Sequence, residues 1–162
     1  MTTIIRRLIL FVTILIVAFS CEKDTPETIE MEIKLVNDND VAIDTYEEGD
    51  SVLFKFYLLN NLGRDVAYVR PNSEILEFLK VHKKNSSGEY EYIGNPSATF
   101  VLVKIIDSIQ NNEKKLLGGV PTTNDFNWPV MGQGNYYVGD TFNITIDDEL
   151  HYYNSRIYFK IE

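Results

Sequence analysis

The sequence is short of the residues from which stapled folds and active sites are usually built. Cys21 is the one cysteine in 162 residues, so no intrachain disulfide is available and no Cys-x-x-Cys or Cys/His zinc pattern exists. His82 and His151 are the only histidines. A histidine-centred hydrolase needs a nucleophile held by a base that a carboxylate orients, and no Gly-x-Ser-x-Gly elbow occurs. Both histidines therefore read as surface or packing residues. Basic side chains number 15 against 24 acidic ones, a net charge of −9. Nucleic acid demands a basic footprint, so it is not an expected partner. Gly118-Gly119 lacks the lysine and serine of a phosphate loop and reads as a turn. Long apolar runs are missing too: a membrane-spanning helix needs roughly 20 residues, and Leu8 to Phe19 supplies twelve, with Thr13 polar among them.

What is present starts with that run. Arg6 and Arg7 precede it, Ala18, Phe19 and Ser20 close it, and Cys21 follows, which is the layout of a secretory signal peptide. The whole resembles a bacterial lipoprotein signal, in which a diacylglyceryl group is placed on the cysteine and the chain is cut in front of it. Small Ser20 fits that pattern, while Ala18 stands where such signals usually carry leucine. The resemblance implies a signal peptide over 1–20, lipid attachment at Cys21 and a tether over 21–28. It makes the membrane a partner through that lipid. An uncleaved anchor is the alternative.

Glu22, Lys23 and Asp24 resemble the short acidic export signal that sends lipoproteins of Bacteroidota to the outer face of the outer membrane. This implies a lipid-anchored, surface-displayed protein; a periplasm-facing anchor or an ordinary charged linker are the alternatives. Loss of Arg6 and Arg7 with the leader leaves 13 basic against 24 acidic residues, or −11. Such a surface is repelled by an anionic bilayer and suits a domain held off it on a leash.

The body, 29–162, reads as one domain. Ile29, Met31, Ile33 and Leu35 alternate with Glu30, Glu32 and Lys34, the period of a strand with one buried face. Asn37 to Asp40 reads as a turn, with Val41 to Tyr46 as a short return strand. Val52 to Leu59 has one charge and is expected to be a central strand buried on both faces; Asp65 to Val69 is another, ended by Arg70 and Pro71. Residues 75–84 fit a helix or a strand, and the Asn85 to Gly88 turn before Tyr90 to Ile93 favours a strand in a hairpin. Thr99 to Ile106 is a further apolar strand. Ser108 to Asn135 is broken by glycine and proline, and a loop so long either hides short strands or serves a purpose. Thr141 to Ile146 and Arg156 to Ile161 alternate around a turn over Asp147 to Asn154. About seven to nine such strands and no long helix predict an all-β, two-sheet sandwich.

Within it, Glu47 to Asn61 (EEGDSVLFKFYLLNN) resembles the stretch of immunoglobulin-like modules, and of the bacterial intracellular proteinase inhibitor family, where a glycine-aspartate turn feeds a strand ending in asparagine. That resemblance implies an immunoglobulin-like sandwich and carries over no functional residue.

Hard oxygen ligands of the kind calcium takes occur in Asn37 to Asp40 and in Asp147-Asp148-Glu149, without EF-hand spacing. Turns use the same residues, so neither metal nor cofactor is expected. The aromatics are more informative. Of 18 beyond the leader, nine lie between Phe126 and Phe159. Neighbours in a strand point to opposite faces, so Tyr136/Tyr137 and Tyr158/Phe159 cannot all be core. Either Trp128 plugs an open end of the sandwich with tyrosines as rim packing, or Trp128, Tyr136, Tyr137, Tyr152 and Tyr153 form a contact surface for a glycan or protein. The expected function is a non-catalytic binding or adhesion module of the cell envelope. Two alternatives are a proteinase-inhibitor-like module presenting the 108–135 loop, and a small hydrolase.

Overall fold

The computed structural model describes residues 28–71, 73–98, 103–122 and 126–162. The expected signal peptide over 1–20, Cys21 and most of the expected tether lie outside them. The chain is an all-β sandwich with one short helix. One layer has three strands, β1 (Ile29–Val36), β3 (Leu53–Asn60) and β8 (Lys114–Pro121), in the order β1-β3-β8. The other is built from β4 (Val66–Pro71), β5 (Val81–Lys84), β6 (Tyr90–Gly94), β7 (Lys104–Ile109), β9 (Gly134–Val138), β10 (Thr141–Ile146), β11 (Glu149–Asn154) and β12 (Ile157–Ile161), with two-residue β2 (Thr45–Tyr46) running parallel to β12.

The second layer is divided into the orders β11-β10-β4-β7 and β2-β12-β9-β5-β6, but its spine is a single long hairpin. Thr141 lies opposite Asn154 and Val138 opposite Ile157. Three steps back along one strand are matched by three forward along the other, so the register carries through the bend without a slip. Gly139 makes that bend: its φ is +133°, and a Cβ there would lie 2.1 Å from the Ser155 carbonyl oxygen. Asp147 and Asp148, both at positive φ (48° and 69°), close the hairpin as a two-residue turn of the primed kind. The expected turn over Asp147 to Asn154 is thus two residues, and the rest is β11.

Alongside runs a second interrupted strand. From Val69, opposite Thr145, to Val81, opposite Val138, there are five more residues than on the partner, and the helix α1 (Glu74–Phe78) has five. It bulges out of the strand path between β4 and β5. The expected strand over 75–84 is therefore a helical turn followed by β5. The helical period prevails because Ile75, Leu76, Phe78 and Leu79 all bury, and Phe78 meets Phe56 and Phe142 edge-on at 6.0 and 5.8 Å. The described residues form twelve strands, more than the seven to nine expected, because the bend at Gly139 and helix α1 divide longer runs. No helix among the described residues is long and apolar enough to cross a bilayer.

The core lies between the layers. Phe54, Phe56 and Leu58 of β3 are wholly buried, with Phe54 against Phe159 at 5.7 Å. Full burial of side chains this size contributes about 1.5–3 kcal/mol each. The opposite face of β3 is only half-buried, which corrects the expectation of two buried faces: a three-stranded layer has no third sheet to cover it. Tyr57 there is roofed instead by Lys114 and Lys34, 4.7 and 5.9 Å from its ring centre, and both ammonium groups pair with Glu32. Asn60 ends β3 as a buried hub. Its amide donates to the carbonyls of Arg64, Ile109 and Gln110, and its oxygen accepts from the Leu62 N–H.

Two further expectations shift. Residues 99–102 lie outside the described ones, and the strand that follows is Lys104–Ile109. The 108–135 stretch holds β8, whose Gly118 and Gly119 sit against Ile75 and Leu53 and let the strand pack closely.

Candidate functional site

The five aromatics singled out from the sequence do not come together in one surface. Trp128 is half-buried at one end of the sandwich, stacked on Phe54 at 5.1 Å with its indole N–H donated to the Pro121 carbonyl at 2.8 Å. It borders a cleft of about 300 Å³ that Tyr46, Glu48 and Asp50 also line. Tyr136 has 0% exposure: its ring stacks on Phe159 at 5.5 Å and its hydroxyl donates to the Gly132 carbonyl. Tyr152 is 64% exposed on the other half of the long hairpin. Tyr153 packs against the core, and burial raises its phenol pKa.

Tyr153 also borders a second cleft, of about 450 Å³, lined by Arg64, Asp147, Glu149 and His151. Asp147 is committed there: the Arg64 guanidinium bonds it at 2.6 Å and, with the Ala67 N–H, holds its carboxyl below the usual range. The Asn37 to Asp40 turn is similarly occupied, Asn37 accepting from the N–H groups of Asn39 and Val41 while Asp40 binds Lys55. Among the described residues no three potential ligands gather to hold a metal ion.

Tyr137 is placed differently. Burial of Tyr136 and Phe159 fixes strand parity, so their neighbours Tyr137 and Tyr158 emerge on the outward face. There the register sets Tyr158 opposite Tyr137, Tyr137 opposite His82, and His82 opposite Tyr92. The result is one unbroken row of four rings across β12, β9, β5 and β6. His82 stacks on Tyr137 at 4.3 Å with the planes 15° apart, and its other neighbour, Tyr92, is at 5.5 Å. Tyr90 adds a fifth ring, 5.0 Å from Tyr137 and 5.9 Å from Tyr158. Tyr137, 9% exposed, is the floor; Tyr92 and Tyr158, 56% and 54% exposed, are the open ends. With strands about 4.8 Å apart the row is about 14 Å long.

Seven of the described lysines and arginines pair with carboxylates, Lys160 of this face among them. Arg70, Lys83, Lys84, Lys104 and Arg156 do not, and two of these lie over rings of the row: Arg156 is 4.9 Å over Tyr137 and Lys84 5.9 Å over Tyr90. The outward positions of these four strands are His82, Lys84, Tyr90, Tyr92, Asn135, Tyr137, Tyr158 and Lys160, with no carboxylate among them. The arrangement can stack flat groups and offer cations. His82, whose Nδ1 is 3.3 Å from the Lys80 carbonyl, is packed between Tyr137 and Tyr92. Sequence reasoning found Tyr137 and missed His82, Tyr90, Tyr92 and Tyr158, because only cross-strand register brings them together. The signal available was parity: Tyr90/Tyr92 and Tyr158 share one face if Tyr136 is core.

No protein-family model matches the sequence, and comparison with curated proteins gives no match. Among solved structures, the chain is similar to the ASH/PapD-like domain of human CEP192 (PapD-like domain 7), at 13% identity and a TM-score of 0.35, over 87% of this chain and 89% of that one.

Proposed function

We propose that this protein is a non-catalytic binding module of the cell envelope, anchored by lipid on Cys21 at the outer membrane and displayed at the cell surface, with the outward ring row as its contact surface for a glycan. The observation that carries this reading is the row itself, four registered rings on an open sheet face with two exposed ends. Exposed aromatic rings lose ordered water on contact while keeping a polar hydroxyl, the combination recognition surfaces use. The leader, Cys21 and the Glu22-Lys23-Asp24 run support the anchor. The test is a glycan-array screen of the full-length protein beside a Tyr92→Ala/Tyr158→Ala double variant whose circular dichroism matches the parent. Retained binding in the folded variant rejects this surface, and mass spectrometry finding an unmodified Cys21 rejects the anchor.

One observation favours a second reading, the proteinase-inhibitor-like module. Val130, in the connection between β8 and β9, is 96% exposed beside Pro129, as a presented side chain would be. An inhibition screen against secreted proteases, with Val130→Asp as control, separates the two.

A further inference from the structure

We propose that the ligand of the ring row is an acidic polysaccharide, a chain of uronic acid units, held by stacking on its exposed end rings, Tyr92 and Tyr158, and by pairing of its carboxylates with Arg156 and Lys84. The inference rests on the binding reading above and adds the chemistry of the ligand.

Charge supplies the first argument. In a chain with 24 carboxylates and 15 bases, a cation finds an internal partner easily, and most do. Arg156 and Lys84 instead lie over tyrosine rings with no carboxylate within 4 Å among the described residues. A ring face attracts a cation electrostatically and leaves its outer N–H groups open. Arg156 therefore presents a planar fork suited to a carboxylate, prepositioned at little entropic cost. Neutral ligands would leave both cations unanswered, and a bound cationic ligand would be repelled.

Orientation supplies the second. The row runs across four strands, from Tyr158 to Tyr92. A peptide recruited by strand addition would lie along the outer edge of β6, at right angles to it. A saccharide chain needs no backbone ladder, and its rings present flat C–H faces to the tyrosines. The row is the span of a short oligosaccharide, and the Glu162 carboxylate at its border is neutralised by Lys160. The acidic remainder of the surface opposes an anionic ligand, so binding depends on Arg156 and Lys84 at the row.

The experiment is isothermal titration calorimetry on the full-length protein in detergent. The probes are oligogalacturonate, alginate oligomers, the carboxyl-reduced neutral form of each, and polyglutamate. Either uronate should bind, the neutral forms at least about tenfold more weakly, and binding should weaken as salt rises. Arg156→Gln should cost about tenfold and Lys84→Gln less, since a charge-assisted pair is the stronger contact. Equal affinity for neutral and acidic forms, with Arg156→Gln silent and Tyr158→Ala damaging, would overturn the acidic ligand while leaving the ring row as contact surface. Polyglutamate binding in place of both uronates would overturn the saccharide. Absence of binding to either uronate overturns the proposal, and the glycan array then reports separately on the row.

Discussion

Both layers of the sandwich carry tyrosine on an outward face, and the two are finished in opposite ways. On the three-stranded layer, Tyr57 stands alone under Lys114 and Lys34, and Glu32 pairs with both lysines. Every charge near it is answered within the molecule. On the long layer, Tyr158, Tyr137, His82 and Tyr92 touch one another, and the cations over them are unpaired. An exposed ring is therefore not by itself a site; the difference lies in whether the surrounding charges are already satisfied.

The comparison breaks most visibly one residue away from the row. Phe159→Ala empties the core between Phe54, Tyr46 and Tyr136, and should cost about 3–5 kcal/mol in urea unfolding. Tyr158→Ala, its neighbour on the opposite face, should cost under about 1 kcal/mol while abolishing ligand binding. If the two lose equal stability, the row is packing and not a surface. Tyr57→Ala should be intermediate, about 0.5–2 kcal/mol, because two lysines lose their ring, and binding should be unchanged.

The charges give a finer version. Lys114→Gln leaves Glu32 with one partner, whereas Arg156→Gln breaks no ion pair, only the contact with the Tyr137 ring, and should move stability by less than about 1 kcal/mol. Acid sharpens it last. Burial pushes the Glu32 carboxyl up, but the hydrogen bond and charge of Lys114, with those of Lys34, outweigh it and leave the group low. A carboxyl lowered on folding stabilises the protein above its unfolded pKa of about 4.3, and that contribution is lost as pH falls through the folded value. The urea midpoint should therefore fall more steeply below pH 5 in the parent than in Glu32→Gln.

Much of the fold was legible because alternation survives wherever one face is buried. Ile29 to Leu35 and Thr141 to Ile146 show it, and both are strands as read. Asn37 to Asp40 is a turn for the backbone reasons its residues suggested. What failed locally was decided at long range. Ile75 to Leu79 became helical because Phe78 had a place between Phe56 and Phe142, and β8 formed through its glycines because Leu53 and Ile75 needed close approach. For the site, parity in Tyr136/Tyr137 and Tyr158/Phe159 correctly announced that some tyrosines face out. It could not say which, nor that His82 and Tyr92 would fall in line with them, since register between β5, β6 and β9 is a property of the whole sheet. Trp128 is half-buried on Phe54, its indole tied to Pro121, and still borders a cleft.

The hairpin from Gly134 to Ile161 is also the last part of the domain that a ribosome makes. Until it emerges, Phe54, Phe56 and Leu58 have no Phe142 or Phe159 to meet, and β5 has no β9 beside it. The core therefore closes only when segments far apart in sequence meet, and its apolar faces stay uncovered until then.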